Sequence, residues 1–238
     1  MFNKDIAFNF ENLIKSIFKI KLLNYKIMKY IASLLLLPSI IFASSIGTNS
    51  IGFKVGQTNV GGEIDGVKGE WDGFGLELSG NFNITNQDKY GVDALFDATF
   101  GSGLEGPLGT ESDVTKISGG LRPYMNLSGF VVFADIGFAH GEFEISGVDD
   151  ASETSFAPGL GFELKLENLV IRPSVNWVEF GLGGDGTFFN LPISYSFNEK
   201  YDLTAKYDVA SFDSENVPGL GAFNYIYDSI TIGVDYKF

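Results

Sequence analysis

Cysteine is absent from this chain, bases are scarce, and no apolar run is long enough to cross a bilayer as a helix. Without cysteine there is no disulfide framework and no thiolate metal site, so stability has to come from backbone pairing and packing. The 16 lysines and arginines stand against 30 aspartates and glutamates, and the formal net charge of −14 has the wrong sign for nucleic acid, whose phosphates it would repel. Helical periodicity is missing too: from residue 44 onward no segment sustains it. What the chain does contain, in the 238 residues of a single domain's length, is 30 glycines and 23 phenylalanines.

The one concentrated apolar segment lies near the start. From Met28 the sequence reads MKYIASLLLLPSIIFASS: a lysine, a twelve-residue apolar stretch over 31–42, then small residues, with Ile41 and Ala43 in the places a signal peptidase prefers. A helical span needs roughly 20 apolar residues, so this stretch reads as a secretory signal over 28–43 and not as an anchor. Residues 1–27 form an extension ahead of a signal that is already complete, so translation is expected to start at Met28 and the mature domain, 44–238, at Ser44.

Nearly every later segment alternates. GFGLELSGNFNI sets Phe74, Leu76, Leu78, Phe82 and Ile84 against Glu77, Ser79, Asn81 and Asn83, and KYGVDALFDATF repeats the pattern. Successive side chains of a strand point to opposite faces, so each such segment is a strand with one apolar and one polar side. The alternation predicts ten strands, at about 48–58, 73–84, 89–100, 114–126, 129–141, 154–167, 169–180, 187–197, 201–212 and 226–238. Strands of eleven to fourteen residues exceed the five or six usual in soluble proteins and suit a tilted crossing of a bilayer, which takes about nine to eleven. Long connections (59–72, 101–113, 142–153, 213–225, with a shorter one at 181–186) alternate with tight joints at 85–88, 127–128, 168 and 198–200, as the outer loops and periplasmic turns of a transmembrane barrel do.

Charge placement follows the same division. The polar faces carry seven acids (Glu77, Asp93, Asp97, Asp135, Glu163, Asp208, Asp235) and seven bases (Lys54, Lys116, Arg122, Lys165, Arg172, Lys206, Lys237). Isolated buried charge is expensive, so equal numbers predict a paired network filling a narrow lumen. The apolar faces are almost free of charge, as hydrocarbon requires, and the five long connections hold fifteen acids against one base, Lys68. Four prolines (Pro123, Pro158, Pro173, Pro192) fall inside proposed strands, where the missing donor breaks a ladder. The first three lie near strand ends, where a bulge is tolerable, but alternation alone does not accommodate Pro192.

The stretch APGLGFELKLENLVIRPSVNW, residues 157–177, resembles the late hairpin of OmpA- and OmpX-type outer-membrane barrels: a glycine-rich outer end, an alternating strand, a tight turn and an inward arginine on the next strand. The signal segment and the terminal aromatic fit the same porin-like group, and the resemblance covers 44–238. It implies an all-β, antiparallel up-and-down transmembrane β-barrel in the outer membrane, with both termini periplasmic and with outer-membrane lipids and lipopolysaccharide as partners. Those relatives have eight strands, so the alternative to ten is that two of the segments form one long outer hairpin. In such families an aromatic ending an alternating last strand is read by the barrel-assembly machinery, a role that would fall to Phe238 with Tyr236 and Val234.

Motifs for chemistry are few. GSGLEG at 101–106 matches a dinucleotide fingerprint in letters, but PLGTESD follows where that motif needs a helix, so it reads as loop. The single histidine, His140, has no serine two residues on and no His-Asp couple of the kinds used by outer-membrane enzymes, which disfavours catalysis. Asp149, Asp150 and Glu153 offer oxygen ligands for a divalent cation without the spacing of a calcium loop. No cofactor is expected. The acidic loops suit divalent cations shared with lipopolysaccharide phosphates, and the favoured role is a monomeric structural or interaction barrel. A small passive pore is the alternative and an enzyme the least favoured class.

Overall fold

The computed structural model describes residues 46–64, 67–106, 109–145, 151–180, 184–217 and 221–238. The proposed extension and signal segment lie outside the described residues, as do Asp149, Asp150 and the side chain of Glu153.

The elements are β1 (Ser50–Ile64), β2 (Val67–Asn86), β3 (Tyr90–Glu105), β4 (Glu111–Leu127), β5 (Phe130–Ile145), β6 (Ala151–Phe156), β7 (Gly159–Leu166), β8 (Leu169–Ile171), β9 (Ser174–Phe180), β10 (Gly184–Asn198), β11 (Tyr201–Val217) and β12 (Gly221–Lys237). Strands adjacent in the barrel pair antiparallel in chain order, and β12 returns to β1 from Ser50↔Lys237 to Ile64↔Phe223. The first and last of the described strands thus close the sheet on itself. β6 with β7, and β8 with β9, each make one barrel strand in two pieces, which gives a closed ten-stranded antiparallel barrel.

Alternation and solvent access agree in an inverted sense. Phe74 is 79% exposed while Glu77, three residues on, is 1% exposed. Among the described residues 33 large apolar side chains are exposed. Covering one such side chain gains about 1.5–3 kcal/mol, so an outer surface of this kind is stable only against hydrocarbon.

The strands are longer than alternation alone predicts, and the difference falls at one end. The stretches 59–64, 67–72, 101–105, 111–113, 142–145, 151–153, 213–217 and 221–225, expected as connections, are strand. β1 and β2 pair without a break from Ser50↔Asn81 to Ile64↔Val67, so the hairpins run well past the length that spans hydrocarbon. The ladder continues because paired backbone satisfies its own donors and acceptors whether lipid or water lies outside. The first five residues of GSGLEG accordingly form the end of β3, where the pairing skips from Gly101↔Val114 to Leu104↔Ser112 around Gly103 at φ 63°. The outward face beyond the apolar belt also carries acids: Asp72 and Glu105, which the shorter strands did not include, are exposed, and Asp228, inside the expected last strand, is half-buried.

The prolines explain the two broken strands. Pro158 separates β6 from β7 and Pro173 separates β8 from β9, each within a strand expected to be continuous. Pro192 sits inside β10, in register with Lys206 of β11. Its carbonyl accepts from the Arg172 amide at 3.0 Å. In a strand a residue's N–H and C=O point to the same neighbour, so the donor Pro192 lacks would face Arg172–Pro173, where that neighbour has already left the ladder. Pro123 falls in a similar gap, where the β4–β5 pairing jumps from Leu121↔Ile136 to Tyr124↔Phe133.

Candidate functional site: the barrel interior

The inward polar faces meet in a single cluster at mid-barrel. Lys206 Nζ lies 2.9 Å from Asp97, 3.0 Å from Asp208 and 3.1 Å from Glu77. Lys54 Nζ is 3.0 Å from Glu77 and 3.5 Å from Asp235, and Lys116 Nζ is 3.5 Å from both Asp97 and Asp208. Each of β1, β2, β3, β4, β11 and β12 contributes a charge, so the cluster ties walls that share no ladder. Hydroxyls extend it: Thr204 donates to Asp235 and lies 2.9 Å from Ser194, and Thr231 donates to Glu77 at 3.4 Å. Asp208 and Glu77 are fully buried. Charges so placed persist only because each faces an opposite charge or a donor.

Toward the short-turn end the remaining charges pair locally. Arg122 binds Asp135 through two parallel bonds, Nε at 2.6 Å and Nη2 at 2.9 Å, and stacks over Phe133 at 4.1 Å. Arg172 holds Glu163 at 3.0 Å. Lys237 binds Asp202 at 2.7 Å, and Ser196 donates to the same carboxylate. Asp93 is gripped by amide donors from Asn81, Asn83 and Gly47. Thirteen of the fourteen expected lumen residues take part in the contacts just described. Lys165 shares the inward parity of Glu163 but is exposed near the turn at 167–168, outside these clusters.

Toward the long-hairpin end the interior turns apolar. Val60, Leu104, Val114, Ala210 and Tyr227 form a buried cluster with Trp71 and Phe188 against it. The two layers meet at Lys116, whose ammonium lies 4.3 Å from the Phe188 ring and 5.6 Å from that of Tyr227. Inward charges were legible from alternation, but this apolar layer was not: Val60, Trp71 and Leu104 lie on strand extensions read as loop, and Val114, Phe188, Ala210 and Tyr227 stand at the very ends of the predicted strands, without those partners. Asp202 was also missed, although its parity with Thr204, Lys206 and Asp208 already places it inside.

The closing strand presents Val234, Tyr236 and Phe238 outward. Tyr201, Tyr236, Phe238 and Phe82 form a chain of rings with centroid spacings of 5.4, 6.1 and 6.3 Å, an aromatic belt at the short-turn rim. His140 is on the outward face of β5 with Thr154 Oγ1 2.8 Å from its Nδ1, on the opposite side of the wall from the lumen charges. Among the described residues no group of acids, histidines and cysteines is arranged to hold a metal ion.

The model of the outer membrane protein beta-barrel domain matches residues 31–238. No curated protein matches. Among solved structures, the outer-membrane protease OmpT from Escherichia coli aligns with TM-score 0.58 at 10% identity, over 84% of this chain and all of that one. The attachment invasion locus protein Ail of Yersinia pestis (TM-score 0.37, 16% identity, 80% of this chain and 99% of that one) and Neisserial surface protein A (0.41, 12%, 79% and 97%) are also similar. At these identities the likeness to OmpT concerns the fold alone. With 31–238 inside that domain and the ring closed from β1 to β12, the chain belongs to the outer-membrane β-barrel family, and the hydrocarbon its phenylalanines face is that of the outer membrane.

Proposed function

We propose that the protein is a structural and interaction barrel of the outer membrane, a monomer with an occluded lumen, both termini in the periplasm and its acidic hairpins displayed outside the cell. The observation that carries this reading is the stacking of two different fillings in one bore: the Lys206-centred ion network and, beyond it, the apolar layer around Leu104. Open aqueous channels belong to much wider barrels of about sixteen strands. Planar-bilayer recordings of the purified protein are expected to show no steady channel. A stable open conductance would favour the passive pore instead.

The membrane partner is read from a row of outward groups just beyond the apolar belt. Glu111, Glu105, Asp72, Asn59 and Asp228 are successive cross-strand neighbours, and Asp228 accepts from Asn59 at 2.9 Å. Like charges directly opposite each other are destabilising, so adjacent carboxylates at headgroup height suit divalent cations shared with lipopolysaccharide phosphates. EDTA is expected to weaken lipopolysaccharide association of the purified barrel, and unchanged association would remove this part of the proposal. His140 facing away from the lumen supports a non-catalytic role, which cleavage of a peptide library by the purified protein would overturn.

A further inference from the structure

The residues ahead of β1 turn into the barrel. β1 starts at Ser50, yet the Ile46 amide donates to Glu163 Oε2 at 3.0 Å, and Glu163 belongs to β7. In a ring of ten strands, β1 and the β6–β7 strand are five apart, on opposite walls. Four extended residues reach at most about 14 Å, so residues 46–49 make this contact by crossing the bore and not by following its rim.

Contacts along the way hold them there. Gly47 donates to Asp93 on β3 at 2.9 Å, and the Thr48 carbonyl accepts from Asn81 on β2 at 2.6 Å. Asn49 accepts from the Asn83 amide through its side chain at 2.8 Å and from the Phe238 amide through its carbonyl at 3.2 Å. Gly47 has φ 85°, and a Cβ there would lie 2.8 Å from the Tyr124 hydroxyl, so only glycine fits the crossing. Asp93 is fully buried and Glu163 nearly so. The Asp93 carboxylate is held by N–H donors alone, one of them supplied by this segment, and losing a donor to a buried carboxylate is costly.

We infer that Asp93 and Glu163 form a docking site for the protein's own amino-terminal peptide, a strap that closes the short-turn mouth of the lumen. The strap deepens the occluded-barrel reading and rests on it for its consequence, a bore stopped at both ends.

Two measurements test it. In the folded mature protein in detergent, the Ile46 and Gly47 amide hydrogens are expected to exchange roughly 100-fold or more slowly than in an unstructured peptide, since opening is required first. Exchange within a few-fold of the peptide rate overturns the strap. Deleting residues up to Gly47 is expected to lower the melting temperature of the wild-type barrel by several degrees and that of the D93N/E163Q variant by much less. Equal losses in both backgrounds overturn the docking site. Conductance is separable from both: a wild-type channel with protected amides refutes occlusion and keeps the strap, and a silent bilayer with unprotected amides does the reverse.

Discussion

Lys206 and Asp97 are 109 residues apart in sequence, on strands β11 and β3 that share no ladder, and their side chains meet at 2.9 Å across the lumen. The contact links walls four strands apart through side chains alone. Lys206→Met leaves Glu77, Asp97 and Asp208 short of their shared cation, and breaking a buried pair from one side costs about 3–5 kcal/mol. The heat-modifiable gel transition of K206M is expected at clearly lower temperature, and K206M/D208N is expected to recover part of the loss. A double variant no better than K206M would mean that charge balance is not what the network supplies.

The apolar layer predicts a separable effect. Leu104 is fully buried among Val60, Val114 and Tyr227, so Leu104→Ala should cost about 2–5 kcal/mol through the void it leaves. Because the ion network below stays intact, L104A is expected to remain closed in bilayer recordings. Thermal melting in detergent and conductance on the same preparation check the two halves.

Pro192→Ala should be nearly silent in thermal melting, within about 0.5 kcal/mol, since the restored donor faces the break at Arg172–Pro173. Ile193→Pro, one residue on, removes a donor aimed at the intact β11 ladder and is expected to block folding into detergent micelles. Similar behaviour of the two variants would contradict the placement of the break.

Deleting Phe238 removes two ring contacts from a side chain that is 60% exposed, worth about 0.5–1.5 kcal/mol each at most, and the amide that donates to the Asn49 carbonyl, worth about 0.5–1.5 kcal/mol. The refolded protein is therefore expected to lose only a few degrees of melting temperature, while outer-membrane insertion in cells drops far more. Normal insertion of the deletion would exclude an assembly role for the terminal aromatic.

Strand identity and facing were legible because the period of two is enforced twice, by lipid outside and by paired charge inside. Phe74, Leu76 and Leu78 against Glu77 leave no other register. Strand ends were less legible: beyond the hydrocarbon the outer face has no reason to be apolar, so Asn59, Asp72 and Glu105 look like loop although their backbone stays paired. The breaks at Pro158 and Pro173 were visible as prolines, but the alignment of the Pro173 break with Pro192 needed the cross-strand register. The Asp93–Gly47 bond joins a loop amide to a carboxylate 46 residues away and leaves no periodic trace.

The fifteen residue pairs between β1 and β12 also set the order of events during biogenesis. The partner of the first-made strand is the last to be synthesised, so no arrangement of the earlier strands can finish the ring. Until Gly221–Lys237 emerges, β1 keeps an open edge of unpaired backbone beside an apolar face, the combination most prone to aggregation in water. Closure is thus a slow, non-local step, and the β1 edge stays exposed for as long as the seam has not zipped.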